Sequence, residues 1–360
     1  MKRSELILIN IISTQANRKR ITGPKKVFDN ACKGLDRMGV KYVLNKPLNE
    51  YKYNWIHDDS KAIIEAGFVG RPVLIGPNTA VLPKDLPILR KSLHSDSVYL
   101  SPSQWVIDMW KQSGFKECKM HSWTVGIDLD NFVLKKRTTN DLDKILIYFK
   151  QRDKNILNHT KQIVKDKNIE YQIIHYGFYK EEEYKKALNE SKLCIWIGCS
   201  ESQGIALQEA LSTGMPMIVL DAKSLFDAVS ENKKGYFDYK MPKSLDNIKV
   251  SSAPYFDDRC GVKINDIDKL SASIDYMLSN IDIFNPRDYI KENLSLEMAS
   301  QSLVDKFSNL NINKKTILRD YKIVSKYLYY LDLLGKEWFY RWLLFKLKNT
   351  IWDIMDFKKK

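Results

Sequence analysis

The chain has 360 residues, of which 58 are Lys or Arg and 44 are Asp or Glu, so its formal net charge is +14. Hydrophobic residues make up 44% of the chain, which excludes a disordered protein, and the length predicts two domains at roughly 100 to 200 residues per domain. No apolar run approaches the roughly 20 residues that a membrane-spanning helix needs. We therefore expect that the protein is not an integral membrane protein.

The positive charge has three candidate explanations, which are nucleic acid, anionic lipid and solvated surface lysine. Basic residues are spread along the chain among acidic ones, and no helix-turn-helix, zinc-finger or RNA-binding pattern is present. We attribute most of the charge to surface lysines and expect no nucleic-acid partner.

The N-terminus and the cysteines indicate the compartment. Asn10 interrupts the apolar run over 6–12, so we interpret this run as a buried first strand and not as a signal peptide. The five cysteines form no CxxC pair and are odd in number, which is typical of packing residues in a reducing compartment. We expect a cytoplasmic protein.

The predicted elements of the first half alternate between strand and helix, as in a parallel α/β sheet. The first helix is predicted to begin at Pro24 and to end at Gly39, because proline suits the first turn of a helix and glycine the residue after its end. The predicted elements are a strand over 6–13, the helix over 24–39, strands over 40–44, 66–69, 73–76 and 98–100, and a helix over 103–113.

The second half repeats this alternation after a polar stretch over 135–141. Its predicted elements are strands over 145–149, 169–175, 193–197 and 217–220, and helices over 156–166, 181–191 and 204–212. Successive parallel strands joined by helices predict an α/β protein of two Rossmann-like domains that face each other across a cleft.

The segment over 316–360 is basic and aromatic, with ten basic residues against five acidic ones. Trp and Tyr beside Lys and Arg favour a membrane interface. A helix packed on the protein also fits the spacing of the apolar positions. We expect a helical tail, with peripheral membrane contact as the first of the two interpretations.

The segment over 194–221 is typical of an anion site. A buried strand ends at Gly198, and a helix begins near Gly204. The first N–H groups of a helix are unpaired and carry partial positive charge, so they suit a diphosphate. Glu209 lies just over one turn into the helix, where its oxygens suit a ribose diol. Glu201 lies before the helix, where it suits a second polyol, although two glutamates at this distance are often solvated.

A longer pattern resembles a known family. Its residues are Glu201, Gly204, Glu209, Ala210, Gly214 and Pro216. They resemble the Glu-x7-Glu motif of the retaining GT-B glycosyltransferases of the glycosyl transferases group 1 family, of the family 4 type. Weaker similarity covers roughly residues 5–305 and rests on Gly23, residues 101–114, Gly126-Ile127-Asp128 with Phe132, and residues 284–295.

The resemblance implies a role for each matching residue. Glu201 would contact the donor sugar, and a Lys and Arg pair after the first strand of the second domain would clamp the diphosphate. The catalytic candidates are Glu201, Lys150 and Arg152. The donor-binding candidates are Gly23, Gln203, Gly204, Ile205, Glu209 and Lys154. We expect no metal and no cofactor.

The resemblance also implies the domain organisation. It predicts an acceptor-side domain over 1–134, a nucleotide-sugar-binding domain over 135–290, a helix returning to the first domain over 291–315, and the tail over 316–360. The chain departs from the family in two places. One strand-helix unit is missing after the first strand of the second domain, and residues 73–78 stand where a histidine is often found.

The expected activity is transfer of a hexose from a nucleoside diphosphate sugar to an acceptor hydroxyl with retention, in glycan or glycolipid biosynthesis. The acceptor would be a glycan or a lipid-linked molecule. Two alternatives keep the sugar chemistry, a GT-B-like epimerase and a metal-dependent GT-A enzyme. The GT-A alternative would use an Asp-x-Asp motif, at Asp128 and Asp130, Asp141 and Asp143, or Asp266 and Asp268. A nucleic-acid-binding protein is the least favoured alternative.

Overall fold

The computed structural model of the protein describes residues 7–79, 93–135, 137, 144–150, 152–226, 242–308, 310 and 312. The predicted tail over 316–360 and the acidic pair Asp141 and Asp143 lie outside the described residues. Among the described residues, no helix is long and apolar enough to cross a bilayer.

The first sheet has six parallel strands in the order β2-β1-β3-β4-β5-β6. They are β1 (Leu8–Ile12), β2 (Lys41–Leu44), β3 (Tyr53–Ile56), β4 (Leu74–Ile75), β5 (Val98–Ser101) and β6 (Lys119–Ser122). Helix α1 (Gly23–Arg37) covers one face, and helices α2 (Ser60–Val69) and α3 (Gln104–Gln112) cover the other. We call this sheet with its helices the first domain.

Helix α1 forms where the sequence predicts it. The Thr22 hydroxyl accepts a hydrogen bond from the Lys25 N–H and caps the helix, and Pro24 occupies the first turn, where a missing N–H costs nothing. The apolar residues of α1 recur at helical spacing and are buried against the sheet: Val27, Phe28, Ala31 and Leu35.

The prediction of a strand over 66–69 is wrong, because these residues form the last turn of α2. The Asp59 carboxylate caps the helix by accepting hydrogen bonds from the N–H groups of Lys61 and Ala62, and Gly70 ends it in the left-handed conformation. A short apolar run does not distinguish a strand from a helix end. Strand β3 was not predicted, because its buried Asn54 breaks the apolar pattern.

The second sheet has five parallel strands in the order β11-β10-β9-β7-β8. They are β7 (Lys144–Phe149), β8 (Glu170–His175), β9 (Leu193–Ile197), β10 (Met217–Leu220) and β11 (Gly261–Ile264). Four of them confirm predicted strands, and the edge strand β11 was not predicted.

Helices cover both faces of the second sheet. Helices α4 (Lys154–Asp166) and α7 (Leu270–Ser279) pack on one face. Helices α5 (Glu181–Glu190), α6 (Ile205–Ser212) and α8 (Pro286–Leu294) pack on the other. The predicted helices in this half are confirmed, with ends that differ by one or two residues. We call this sheet with its helices the second domain.

The chain returns to the first domain through helix α9 (Leu296–Ser308), whose Leu303 and Phe307 join the core beside α1. The two helices meet at Gly34, where a Cβ atom would lie 2.2 Å from the Ser300 hydroxyl oxygen. Only glycine permits this close approach. The return begins at Leu296, because residues 291–294 still belong to α8 on the second domain.

Candidate functional site

The candidate site lies at the carboxyl edge of the second sheet, between β7 and β9. These strands are neighbours although β8 separates them in the chain. Their pairing places Lys150 beside the end of β9, and its N–H donates to the Ile197 carbonyl at 2.8 Å. Strand order reverses at this point of the sheet, which is where open α/β sheets bind ligands.

Helix α6 begins at this edge with Gly204 as its N-cap. Gly204 has φ of 84° and ψ of 45°, the left-handed conformation that favours glycine. No side chain caps the helix, and its first turn has no acidic residue. The N–H groups that begin at Ile205 therefore face the edge without a side-chain acceptor, an arrangement that suits an anion.

Lys150 and Glu201 form an ion pair at this carboxyl edge. The Lys150 ammonium lies 2.6 Å from Glu201 Oε1 and 4.2 Å from the centre of the Tyr176 ring. Burial alone would lower the pKa of Lys150, but the charge and hydrogen bond of Glu201 more than offset this, so its pKa lies above the ordinary value. Lys150 is therefore a charged donor held beside Glu201.

Glu209 is buried, with 4% of its surface exposed, and pairs with a residue of the first domain. The Lys26 ammonium, from α1, lies 2.6 Å from Glu209 Oε1 and 3.2 Å from Glu181 Oε2. Burial raises the pKa of Glu209 above its ordinary value, although Lys26 opposes the rise. The sequence did not indicate Lys26 or Glu181, since Lys26 and Glu209 are 183 positions apart.

The two other basic candidates have different environments. Arg152 Nη1 donates to the carbonyls of Gly198 and Leu220, at 2.8 and 3.1 Å, so its guanidinium lies where β9 and β10 end. Lys154 is exposed in the first turn of α4. The structure brings Arg152 to the edge that carries Lys150 and leaves Lys154 at the surface.

The Gln203 side chain is hydrogen-bonded to the main chain of Val125, which follows β6. Its amide nitrogen donates to the Val125 carbonyl at 3.0 Å, and its carbonyl oxygen accepts from the Val125 N–H at 3.3 Å. Only the main chain of Gln203 is then left to bind the donor substrate. Gly23, the predicted donor residue of the first domain, is exposed at the start of α1, with no atom within 4 Å of where a Cβ would stand.

The first domain also reaches the site through α3. The Trp105 indole N–H donates to the Glu201 carbonyl at 2.8 Å, and the Glu201 N–H donates to the Ser251 carbonyl at 2.9 Å. The loop at Ser251 is held by Asp221, because the Ser251 hydroxyl donates to the Asp221 carboxylate at 2.6 Å. The main chain of Glu201 is therefore fixed by hydrogen bonds from both domains, and its side chain pairs with Lys150.

The carboxyl edge of the first sheet carries a second polar cluster. His57 follows β3 and is fully buried, with Nδ1 3.1 Å from the Ser13 hydroxyl and Nε2 3.0 Å from the Asn78 amide nitrogen. Burial would raise the pKa of Asp58, but hydrogen bonds from His57 and neighbouring side chains hold it well below its usual range. The resemblance pointed to a histidine at residues 73–78, where this chain has none, and His57 was not assigned to the site because β3 was not predicted.

The acidic pairs considered for metal binding have other partners. Asp128 and Asp130 both pair with Arg37, at 2.9 and 2.5 Å, and Asp266 accepts a hydrogen bond from the Asp268 N–H at 3.0 Å. In the part of the chain that the structure describes, no group of three or more His, Cys, Asp and Glu side chains could hold a metal ion.

Gly204→Ala is expected to lower the free energy of unfolding by about 1 kcal/mol, because an L-residue in the left-handed conformation costs about 1–2 kcal/mol. Gly23→Ala is the matched control, since Gly23 has open space and no positive φ. Its unfolding free energy should stay the same or rise, because alanine favours the helix that begins there. Urea denaturation measures both. Equal stability of the two variants would contradict a left-handed backbone at Gly204.

Comparison with known proteins gives two separate findings, a family match over one segment and a shared fold. Residues 152–242 match the model of the family Glycosyl transferases group 1, and this segment contains Glu201, Gly204 and Glu209. A sequence search of curated proteins gives no match.

Solved structures resemble the chain over most of its length. A sucrose-phosphate synthase from Thermosynechococcus elongatus is 11% identical over 84% of this chain and 99% of that chain, with a TM-score of 0.53. The apo lipopolysaccharide outer core galactosyltransferase WaaB is 11% identical over 84% and 99%, with a TM-score of 0.52. The catalytic domain of starch synthase IV from Arabidopsis thaliana is 9% identical over 88% and 100%, with a TM-score of 0.53.

At these identities the structural likeness shows the fold alone, which is GT-B, as the sequence predicted. The protein thus has the GT-B fold, and residues 152–242 of its second domain match the model of the group 1 glycosyltransferases.

Proposed function

We propose that the protein transfers a sugar from a nucleoside diphosphate sugar to an acceptor hydroxyl, with retention of configuration at the anomeric carbon. One observation carries the proposal. Glu201 and Glu209 flank an uncapped helix N-terminus that opens on a left-handed glycine, and Lys150 lies beside it. An anion site between two buried carboxylates matches a diphosphate between a sugar and a ribose.

The proposed chemistry depends on the charge of the leaving group. As the glycosidic bond breaks, negative charge accumulates on the diphosphate. The N–H groups at the start of α6 and the ammonium of Lys150 would stabilise this charge more in the transition state than in the ground state. Arg152, anchored at the ends of β9 and β10, would add positive charge at the same edge. The leaving phosphate would take the proton of the acceptor hydroxyl.

We infer that these donors serve in place of a metal ion, and that no cofactor is needed beyond the donor substrate. Addition of EDTA should then leave the transfer rate unchanged. A rate that falls in EDTA and returns with Mn²⁺ or Mg²⁺ would contradict this inference.

The acceptor would enter from the first domain, where the cluster around His57 lies at the carboxyl edge of the sheet. A glycan or a lipid-linked acceptor presents the hydroxyl that the reaction needs. In this proposal the products belong to glycan or glycolipid biosynthesis, and the reaction takes place in the cytoplasm.

A thermal-shift screen against UDP-, GDP- and ADP-sugars tests the proposal. A ligand at a hundred-fold excess over its Kd stabilises the folded protein by about 2.7 kcal/mol, so one nucleotide class should raise Tm by several degrees. NMR with the donor alone separates transfer from epimerisation, because an epimerase converts its substrate without an acceptor. No thermal shift with any of the three classes at millimolar concentration would contradict the proposal.

A further inference from the structure

Lys26 is a first-domain residue in the donor site of the second domain. Its side chain is about one-quarter exposed, and its ammonium bridges the carboxylates of Glu209 and Glu181 across the cleft. Burial alone would lower the pKa of Lys26, but Glu209 and Glu181 raise it above its ordinary value, so Lys26 is charged. Glu209 is far more buried than Lys26, and an unpaired carboxylate at that depth would be costly.

Other charged and titratable groups also face Glu209. Glu181 is a like charge that raises the Glu209 pKa, and Lys185, from the same helix, opposes it but contributes less than Lys26. The hydroxyl groups of Tyr179 and Tyr184 also face Glu209, and burial raises the pKa of each, so both are neutral at pH 7. Lys26 is therefore the main cation acting on Glu209, and it forms the direct hydrogen bond.

The geometry leaves half of the carboxylate for a ligand. Lys26 occupies Glu209 Oε1, and Oε2 has no hydrogen-bond partner among the described residues. An ionised carboxylate accepts hydrogen bonds on both oxygens, and more strongly than a protonated carboxyl group, which has one O–H donor. Its orientation decides whether each bond is well aligned.

We propose that Lys26 is a positioning residue for the donor, which keeps Glu209 ionised and orients its second oxygen toward the ribose hydroxyls. This inference rests on the proposed function. Because Lys26 belongs to α1, recognition of the ribose requires both domains, although the carboxylate belongs to the second domain alone.

The test measures binding of UDP, GDP and ADP by isothermal titration calorimetry at pH 7. Lys26→Met should weaken binding of the nucleotide that the wild type binds by about tenfold or more, since hydrogen bonds to charged groups are strong. Lys26→Arg should bind within about threefold of the wild type, because it retains the charge. Lys25→Met is the matched control. It removes the same charge from the same turn, where Lys25 pairs with Asp29, and should bind as the wild type does.

The pH dependence separates positioning from folding. Glu209 has a raised pKa, so nucleotide binding is lost as pH falls through that pKa. Lys26→Met removes the opposing cation, so the pKa rises further and the loss should begin at a higher pH than in the wild type or in Lys25→Met. The titration of the nucleotide phosphates is common to all three proteins and cancels in the comparison. Lys26→Gln gives the same test if the methionine variant does not fold.

The outcomes distinguish the two proposals. If the wild type binds none of the three nucleotides, the proposed function fails and the inference fails with it. If the wild type binds one of them, the inference alone is overturned when Lys26→Met binds it equally well or more tightly and loses it over the same pH range. Tighter binding would mean that Lys26 competes with the ribose for Glu209.

Discussion

Glu209→Gln is expected to weaken nucleoside diphosphate binding by about 10-fold to 100-fold, because hydrogen bonds to a charged group contribute about 1.5–3 kcal/mol. Glutamine keeps the shape of the side chain but loses the charge, and one of its two terminal atoms becomes a donor. The contact with the ribose should therefore be weakened. Folding should change little, because the amide oxygen can still accept a hydrogen bond from Lys26.

A comparison of ribonucleotide and 2′-deoxyribonucleotide isolates that contact. Wild type should bind the ribonucleoside diphosphate more tightly than the deoxy form, and Glu209→Gln should bind the two almost equally. Glu182→Gln is the control, since Glu182 is exposed on α5. If Glu209→Gln keeps the wild-type ratio of the two affinities in calorimetry, Glu209 does not bind the ribose.

Lys150→Met is expected to lower kcat by about 100-fold or more, the range seen when one preorganised donor to a developing negative charge is removed. The substitution also leaves Glu201, with 8% of its surface exposed, without its cation. Initial rates of nucleoside diphosphate release measure the effect. We expect a smaller change in KM than in kcat, because the charge on the diphosphate grows toward the transition state.

Lys154→Met is the matched control for this experiment. Lys154 lies four residues further along the chain and is exposed at the start of α4, so its replacement should leave kcat within about twofold of the wild type, as surface substitutions usually have small effects. Equal rates for the two variants would remove Lys150 from the transition state.

The sequence predicted the parts of the site that depend on local order. Gly204 and the start of α6 were predicted within one residue, because a buried strand, a glycine and a helical run are local signals. Lys150 was predicted at the end of β7 on the resemblance alone, since its position beside Glu201 follows from the pairing of β7 with β9.

The sequence could not predict contacts that join distant segments. Lys26 is one of many lysines in the chain, and only the packing of α1 against the second domain places it on Glu209. Gln203 was assigned to the donor because it adjoins Gly204, and only the structure shows that its side-chain amide is hydrogen-bonded to the main chain of Val125. His57 was not assigned to the site, because strand β3, which precedes it, was not predicted.

The most direct test of donor binding at Gly204 is a crystal structure with the nucleoside diphosphate that gives the largest thermal shift. The diphosphate should lie within hydrogen-bond distance of the N–H groups at the start of α6 and of the Lys150 ammonium, with both ribose hydroxyls on Glu209. A nucleotide bound at the edge of the first sheet, or with its diphosphate away from Gly204, would contradict the proposed function.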